Sequence, residues 1–461
     1  MRPFRSGDVL RERLLLSFAA LFVLLATLAL TVAPAVRLSR WPWQAPLFTV
    51  HWSLAVVWLV CAVVSHLLVN RLLPRRDPLL LPVALLLSGW GLALVWRLAP
   101  AFGLRQTLWL PVGLAGMFAV IGAPGDLRWL RRYKYTWLGA ALLLTALTLV
   151  FGVNPAGAGP RLWLGCCGLY FQPSEALKLL LVVYLAAYLA DKRELIVGPS
   201  PEAVSVQSSV VTGNAPLTPD PKSLIPRLQR AIRNSPFAIP YLAPLLLMWS
   251  FALVLLISQR DLGAGSLVFA VCLAMLYLAS GQQRYLLAGL VLLLLGGAAA
   301  YLLYDVVRLR VEAWVNPWLD PGGRSFQIVQ SLIALGAGGL LGRGPGLGAP
   351  TVIPVVHSDF VFAAITEEWG LLGALAALAL TFLVVLRGLR AAALARGSFH
   401  SLLAAGLAAL FGAQSFLIVG GVVKLIPLTG LTLPFLSYGG SSLLANFVLV
   451  GLLLRLSHDA G

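Results

Sequence analysis

Long apolar runs, each closed off by a polar or charged stretch, follow one another along the whole chain. Twelve stand out, at 14–36, 52–70, 78–97, 106–123, 135–152, 173–190, 237–257, 264–280, 284–304, 360–386, 401–423 and 436–456. A helical run of roughly 20 apolar residues matches the hydrocarbon thickness of a bilayer. A helix also satisfies its own backbone hydrogen bonds there, which an open strand cannot do. A membrane barrel would need short alternating strands, and these runs are continuous. The pattern predicts an all-α polytopic membrane protein with about twelve transmembrane helices.

Two interruptions are long. Residues 191–236 contain SPEAVSVQSSVVTGNAPLTPDPKS, which is polar and aperiodic and reads as a disordered linker. Residues 305–359 differ: they hold two Trp, four Arg and an apolar stretch from Phe326 to Leu335 that suits an interfacial or re-entrant helix. This second interruption is therefore expected to be a large structured loop. Its glycines at 342, 344, 346 and 348 are not a phosphate-binding loop, because no Gly-Lys-Ser/Thr follows. A third segment, KLIPLTGLTLPFLSYGGSS, is rich in Pro and Gly and reads as a broken-helix passage lining a cavity.

Composition sharpens the class. Of 461 residues, 59% are hydrophobic and 11% charged, too few polar groups to cover a soluble surface. The net charge of +17 would suggest nucleic acid in a soluble protein. Here it reads as loop charge that sets topology and meets anionic lipid, so the expected partner is the lipid bilayer and not nucleic acid. With the N-terminus inside, the cytoplasmic segments carry Arg71, Arg75, Arg76, Arg128, Arg131, Arg132, Lys134, Lys192, Arg193, Lys222, Arg227, Arg230, Arg233, Arg387, Arg390 and Arg396. That orientation places about twice as many basic residues inside as outside. Both termini and 191–236 are then cytoplasmic, and 305–359 is extracytoplasmic. The first apolar run is too long for a signal sequence and reads as a retained helix. Cys61 and Cys272 sit in apolar runs as small core residues. Cys166 and Cys167 are adjacent, which suits neither an ordinary disulfide nor a metal site.

A few polar residues stand against this background. Asp261, in SQRDLGAG, lies alone with Arg260 between two uncharged spans. A carboxylate near hydrocarbon marks a functional site, or Asp261 caps the helix that follows. Glu175 and Lys178, in FQPSEALKLL, are three residues apart on one face and can pair as ions. Lys178, one turn deeper, can instead meet an anionic headgroup. Glu367 and Glu368 lie about two turns into the tenth span. They fit a proton relay or a structural pair with Arg or Lys. His357 and Asp359 flank the start of that span, and two ligands alone make a weak metal site. Apart from the two glutamates, all these residues map near the outer surface. The residues alone thus describe an extracytoplasmic polar cleft suited to a lipid-linked anion or to transport.

Five motifs in order carry a resemblance: RLWLGCCGLYFQPSEALKL, SQRDLGAG, WVNPWLDPGGRSFQIVQSLIALGAGGLLGRGPG, VVHSDFVFAAITEEWGLLGA and LIPLTGLTLPFLSYGGSSLL. From about residue 80 onward the chain resembles the SEDS family of cell-shape and division proteins, the RodA, FtsW and SpoVE type. The ending leans towards RodA. The family has ten spans, so the resemblance implies a glycosyltransferase membrane core at 78–461 and two extra helices within 1–77. The family's QPDLG motif stands here as Gln259-Arg260-Asp261-Leu262-Gly263, with Arg260 in place of proline.

The resemblance implies a peptidoglycan glycosyltransferase that polymerises lipid II into β-1,4 glycan strands, with Asp261 as the essential residue. An inverting transfer needs a base for the incoming hydroxyl. The leaving pyrophosphate needs cations. Lys424 and Arg161 rank first, followed by Lys178, Arg308 and Arg310, with a divalent cation (Mg or Mn) as a candidate helper and no metal ligands assigned. Gln259, Glu175, His357, Asp359 and Ser437 complete the expected substrate contacts. The implied partner is a class B penicillin-binding protein, the transpeptidase that crosslinks new strands. The competing readings are a lipid II flippase and a non-catalytic scaffold of the cell-wall machinery. All three place the protein in the cytoplasmic membrane.

Overall fold

The computed structural model describes residues 6–37, 51–125, 127–155, 157, 159–166, 169–197 and 239–460. The chain runs α1 (Ser6–Arg37), α2 (Trp52–Leu72), α3 (Leu80–Leu98), α4 (Pro100–Ile121), a short α5 (Arg128–Arg132) and α6 (Lys134–Phe151). A small antiparallel hairpin follows, β1 (Leu164–Cys166) and β2 (Leu169–Phe171), in register Gly165 with Tyr170. Then come α7 (Pro173–Val197), α8 (Ile239–Ser258), α9 (Leu262–Ser280), α10 (Gln283–Leu303), α11 (Asp305–Val315), α12 (Phe326–Gly338), α13 (Val361–Leu394), α14 (Ser398–Val422) and α15 (Gly440–Ala460). Among the described residues, twelve helices are long and apolar enough to span a membrane, and each overlaps one of the twelve expected runs.

The boundaries move for local reasons. α4 starts at Pro100, ahead of the expected 106, because proline suits the first helical turn and Arg105 is tolerated one turn on. α7 continues to Val197, so residues 191–197 of the expected linker are helical. The rest of that linker, 198–236, lies outside the described residues, and so do Lys222, Arg227, Arg230, Arg233 and Cys167. Cys61 and Cys272 are buried and Cys166 is exposed. The 305–359 loop is structured, with α11 at its start and α12 covering its predicted apolar stretch.

α3 and α7 are buried almost throughout, whereas almost none of α10 is buried. α3 and α7 are therefore the centre of the bundle, and α10 forms its lipid-facing edge. α1 packs on α3, and α2 packs on α4. Trp58 of α2 donates its indole N–H to the Leu85 carbonyl of α3 (3.0 Å). Where α1 begins, Glu12 takes two bonds from Arg76 (2.7 and 2.6 Å) and one contact from His66 (2.9 Å). A buried ion pair offsets its desolvation only when its polar atoms are well partnered, as the carboxylate is here. The first two helices are thus integral to the packing.

The termini of the bundle's helices define two ends. One carries the start of α1 and the finish of α15. The opposite end gathers the α6–α7 hairpin, the α8–α9 junction, the large loop 304–360 and the irregular segment 423–439. Gln172 N–H, just before α7, donates to Ser441 Oγ at the start of α15 (2.9 Å), which binds these connections together.

Candidate active site at a helix junction

α8 stops abruptly. The N–H of Asp261 donates to the Leu256 carbonyl, and that of Arg260 donates to Ile257, both at 2.9 Å. This is a Schellman stop, which places one residue in the left-handed region. That residue is Arg260, with φ 60°. Proline fixes φ near about −65° and has no N–H to give. A proline therefore cannot make this turn.

Asp261 follows at once and caps α9. Its Oδ1 accepts from the Ala264 N–H (3.0 Å), so the capping reading and the site reading fall on one residue. Among the described residues its second oxygen, Oδ2, meets only the Ser174 hydroxyl, at 3.4 Å. Burial pushes this carboxyl above the usual range; the Ala264 bond and nearby Lys178 pull the other way, and Glu175 adds to the rise. At Gly263, a Cβ would strike the Thr429 carbonyl, so only glycine lets α9 approach the 423–439 segment.

Beneath Asp261 runs a polar column. Glu175 and Lys178 pair at 2.8 Å, as their spacing allows, and both are buried. Lys178 also donates to Gln414 (3.1 Å), which in turn donates to the Thr432 carbonyl (2.8 Å). Thr432 and Ser442 share a hydroxyl bond at 3.0 Å. Ser174, Gln414 and Thr432 are participants that the sequence reading passed over. Ser174 adjoins Glu175 in the quoted motif. Gln414 is a lone amide in an apolar run, a signal that was present.

Above Asp261 the loops lock together. Arg310 donates to the carbonyls of Leu428 and Thr429 (3.3 and 3.2 Å). Asp359 accepts from Ser358 Oγ (2.6 Å), and Ser437 Oγ donates to the Ser358 carbonyl (2.5 Å). His357 lies against the rings of Phe102 and Tyr438, at 5.3 and 5.7 Å. Burial raises the Asp359 carboxyl and lowers the His357 imidazole, which favours the neutral form of each.

Other candidates stand apart from this group. Gln259 turns to α6 and donates to the Thr145 carbonyl (2.6 Å). Lys424 reaches the Val315 carbonyl (3.4 Å), and its own carbonyl accepts from Trp314 (3.1 Å), which holds it at the end of α11. Arg308 is exposed and lies over the Tyr301 ring at 5.7 Å. Arg161 is exposed ahead of the hairpin. Among the described residues, no cluster of three His, Cys, Asp or Glu side chains could hold a metal ion.

Glu367 and Glu368 lie about two turns into α13, as expected, and Gly370, with φ 68° and ψ −167°, breaks the helix two residues after Glu368. The glutamates therefore lie at the loop end, with the other polar residues. Glu368 pairs with Arg97 (3.0 Å) and accepts from the Gly346 N–H (2.9 Å). Glu367 accepts from the Ala349 N–H (2.8 Å) and stands 3.7 Å from Arg343. They hold the loop to α13 and α3, the structural alternative of the two readings.

This arrangement defines a class: a polytopic membrane protein with a carboxylate that keeps a spare oxygen at a helix junction, roofed by interlocked loops. The chain belongs to the FtsW, RodA and SpoVE family of cell cycle proteins, whose family model matches residues 97–461. It is 37% identical to the peptidoglycan glycosyltransferase RodA of Mycobacterium tuberculosis, over 97% of this chain and 90% of that one. It is 33% identical to the probable peptidoglycan glycosyltransferase FtsW of Geobacter metallireducens, over 83% of this chain and 95% of that one. Among solved structures it is similar to a chain of a peptidoglycan synthase complex that coordinates polymerization and crosslinking. The TM-score is 0.64 at 30% identity, covering 84% of this chain and 98% of that chain. It is also similar to the rod shape determining protein RodA of Thermus thermophilus, with a TM-score of 0.54 at 26% identity, covering 83% of this chain and 97% of that one.

Proposed function

We propose that this protein is a peptidoglycan glycosyltransferase that polymerises lipid II into β-1,4 glycan strands at the outer face of the cytoplasmic membrane, for elongation and cell shape. The observation that carries this reading is Asp261. One carboxylate oxygen is spent on the α9 cap, and the other has, among the described residues, only a long contact to Ser174. A raised carboxyl with a spare oxygen suits a general base.

In the proposed step, Oδ2 takes the proton from the acceptor's GlcNAc 4-hydroxyl. That oxygen attacks C1 of the donor's MurNAc, and the C1–oxygen bond to pyrophosphate breaks. Undecaprenyl pyrophosphate leaves with the electron pair, and C1 inverts. Lys178, whose charge acts on Asp261, and Arg310, in the loops above, favour the developing charge. Lys424, Arg161 and Arg308 are assigned to the rim, where they draw in the pyrophosphate. Gln259, Glu175, His357, Asp359 and Ser437 shape the site from behind. No step is routed through a divalent cation.

The positive-inside distribution supports an outward site and cytoplasmic termini. The similar synthase complex supports a class B penicillin-binding protein as partner. We assign the catalytic core to 78–461 and treat α1 and α2 as an accessory pair. The engagement of Glu367 and Glu368 in pairing counts against these two as a relay for a flippase. The test is polymerisation of labelled lipid II in detergent by purified protein, with and without its transpeptidase. Strands from the native protein and none from a well-folded Asp261→Asn variant are expected. Equal polymer from both would leave the carboxylate as a helix cap only.

A further inference from the structure

A cavity of about 510 Å³ opens at the other end of the bundle, away from Asp261. Its wall combines Arg128 and Arg131 of α5, Arg396, His400 at the start of α14, and Asp459 of α15. Three arginines and one carboxylate line it. Arg131 is partly neutralised by Asp191 (2.6 Å), which also pairs with Lys134.

The first turn of α14 adds to this charge. Its N-cap is Gly397, with φ 108° and no side chain to cap the amides that follow. Ser398, Phe399 and His400 of this turn line the cavity. The positive end of a helix dipole and arginine forks are the two devices that bind phosphate best. Here they converge on one cavity. Phe399, Leu456 and Ala460 supply an apolar wall beside them. A volume of this size holds a small molecule, far more than a bare phosphate.

We propose that this cavity binds the phosphoryl group of an anionic phospholipid headgroup from the leaflet at that end. The arginines and the α14 amides hold the phosphate, and the apolar wall takes the first carbons of the glycerol ester. A soluble phosphate ester has the same chemistry, so the test separates the two sources. The proposal does not depend on the assignment of Asp261.

The full-length protein is purified in a neutral detergent. Binding of short-chain phosphatidylglycerol, phosphatidylcholine and inorganic phosphate is measured separately by native mass spectrometry and by thermal shift. The variants are Arg128→Gln with Arg396→Gln, and Arg390→Gln as a control for net charge outside the cavity. The double variant is expected to bind phosphatidylglycerol at least about tenfold more weakly, the loss of a charge-assisted bond. Arg390→Gln should bind as the native protein does. Phosphatidylglycerol binding that is lost in the double variant and not displaced by phosphate supports the lipid source. Phosphate binding lost in the same variant supports the site with a soluble source. Equal binding by all variants, or no preference for phosphatidylglycerol over phosphatidylcholine with no phosphate binding, overturns the proposal. Unchanged melting of the ligand-free variants keeps misfolding from being mistaken for lost binding.

Discussion

Two carboxylates at the loop end of this bundle, Glu368 and Asp261, are treated in opposite ways. Glu368 has one oxygen filled by Arg97 and the other by the Gly346 N–H. Asp261 has one oxygen filled and the other nearly idle. A buried charge that is fully partnered holds structure, whereas one left short of partners is free to change its proton. The number of bonds per oxygen, more than depth in the membrane, separates the two roles.

The sharpest break in that comparison is Asp261→Asn. Asparagine caps helices as well as aspartate does, so folding should persist. Polymerisation should fall by about 10²–10⁴-fold, the usual worth of a general base. A loss of fold instead would make Asp261 resemble Glu368. Glu368→Gln should do the reverse. The Arg97 and Glu368 side chains are 16% and 3% exposed, so breaking their pair leaves a mostly buried charge. A stability loss of roughly 3 kcal/mol is expected from thermal unfolding. Glu367→Gln should cost less, because its partner Arg343 is half exposed.

Arg260 offers a graded test of the junction itself. Arg260→Pro removes a hydrogen bond and a required φ, at about 3 kcal/mol. Arg260→Gly should gain about 1 kcal/mol by relieving the left-handed conformation. Both are read as shifts in the melting midpoint. A stabilised Arg260→Pro would mean that α8 ends differently from the turn described.

The pH dependence follows from the raised Asp261 carboxyl. The base form grows as pH climbs through that raised value, so polymerisation should rise over a window above the ordinary carboxylate range. Asp261→Asn should have no such rise. Stability moves the other way. The folded state holds the proton more tightly than the unfolded chain does, so this residue's contribution declines over the same window. The smallest effect expected is from shortening 200–222, which should leave in vitro polymerisation unchanged; lost activity in a well-folded deletion would assign that stretch a role.

The spans were legible because a run of about 20 apolar residues carries its own signal, independent of what it packs against. The Asp261 cap and the Glu175–Lys178 pair were legible because both are local. The kink at Gly370 was not, since nothing in EEWGLLG separates a helical glycine from a left-handed one. Nor was the direction of Gln259, which depends on α6, more than a hundred residues earlier in the chain. The hairpin before α7 was also missed, because three-residue strands carry almost no pattern.

The broken α13 has a consequence for how the protein is made. At the break, the N–H groups of Leu371 and Leu372 turn to the carbonyls of Gly339 and Leu340, and the carbonyls of Glu367 and Glu368 receive Arg343 and Gly344. Arg97 leaves the ribosome 271 residues ahead of Glu368. Six further spans must enter the bilayer before that carboxylate arrives. The roof over Asp261 therefore closes late in synthesis, and a chain halted before α13 has the acid but not its cover.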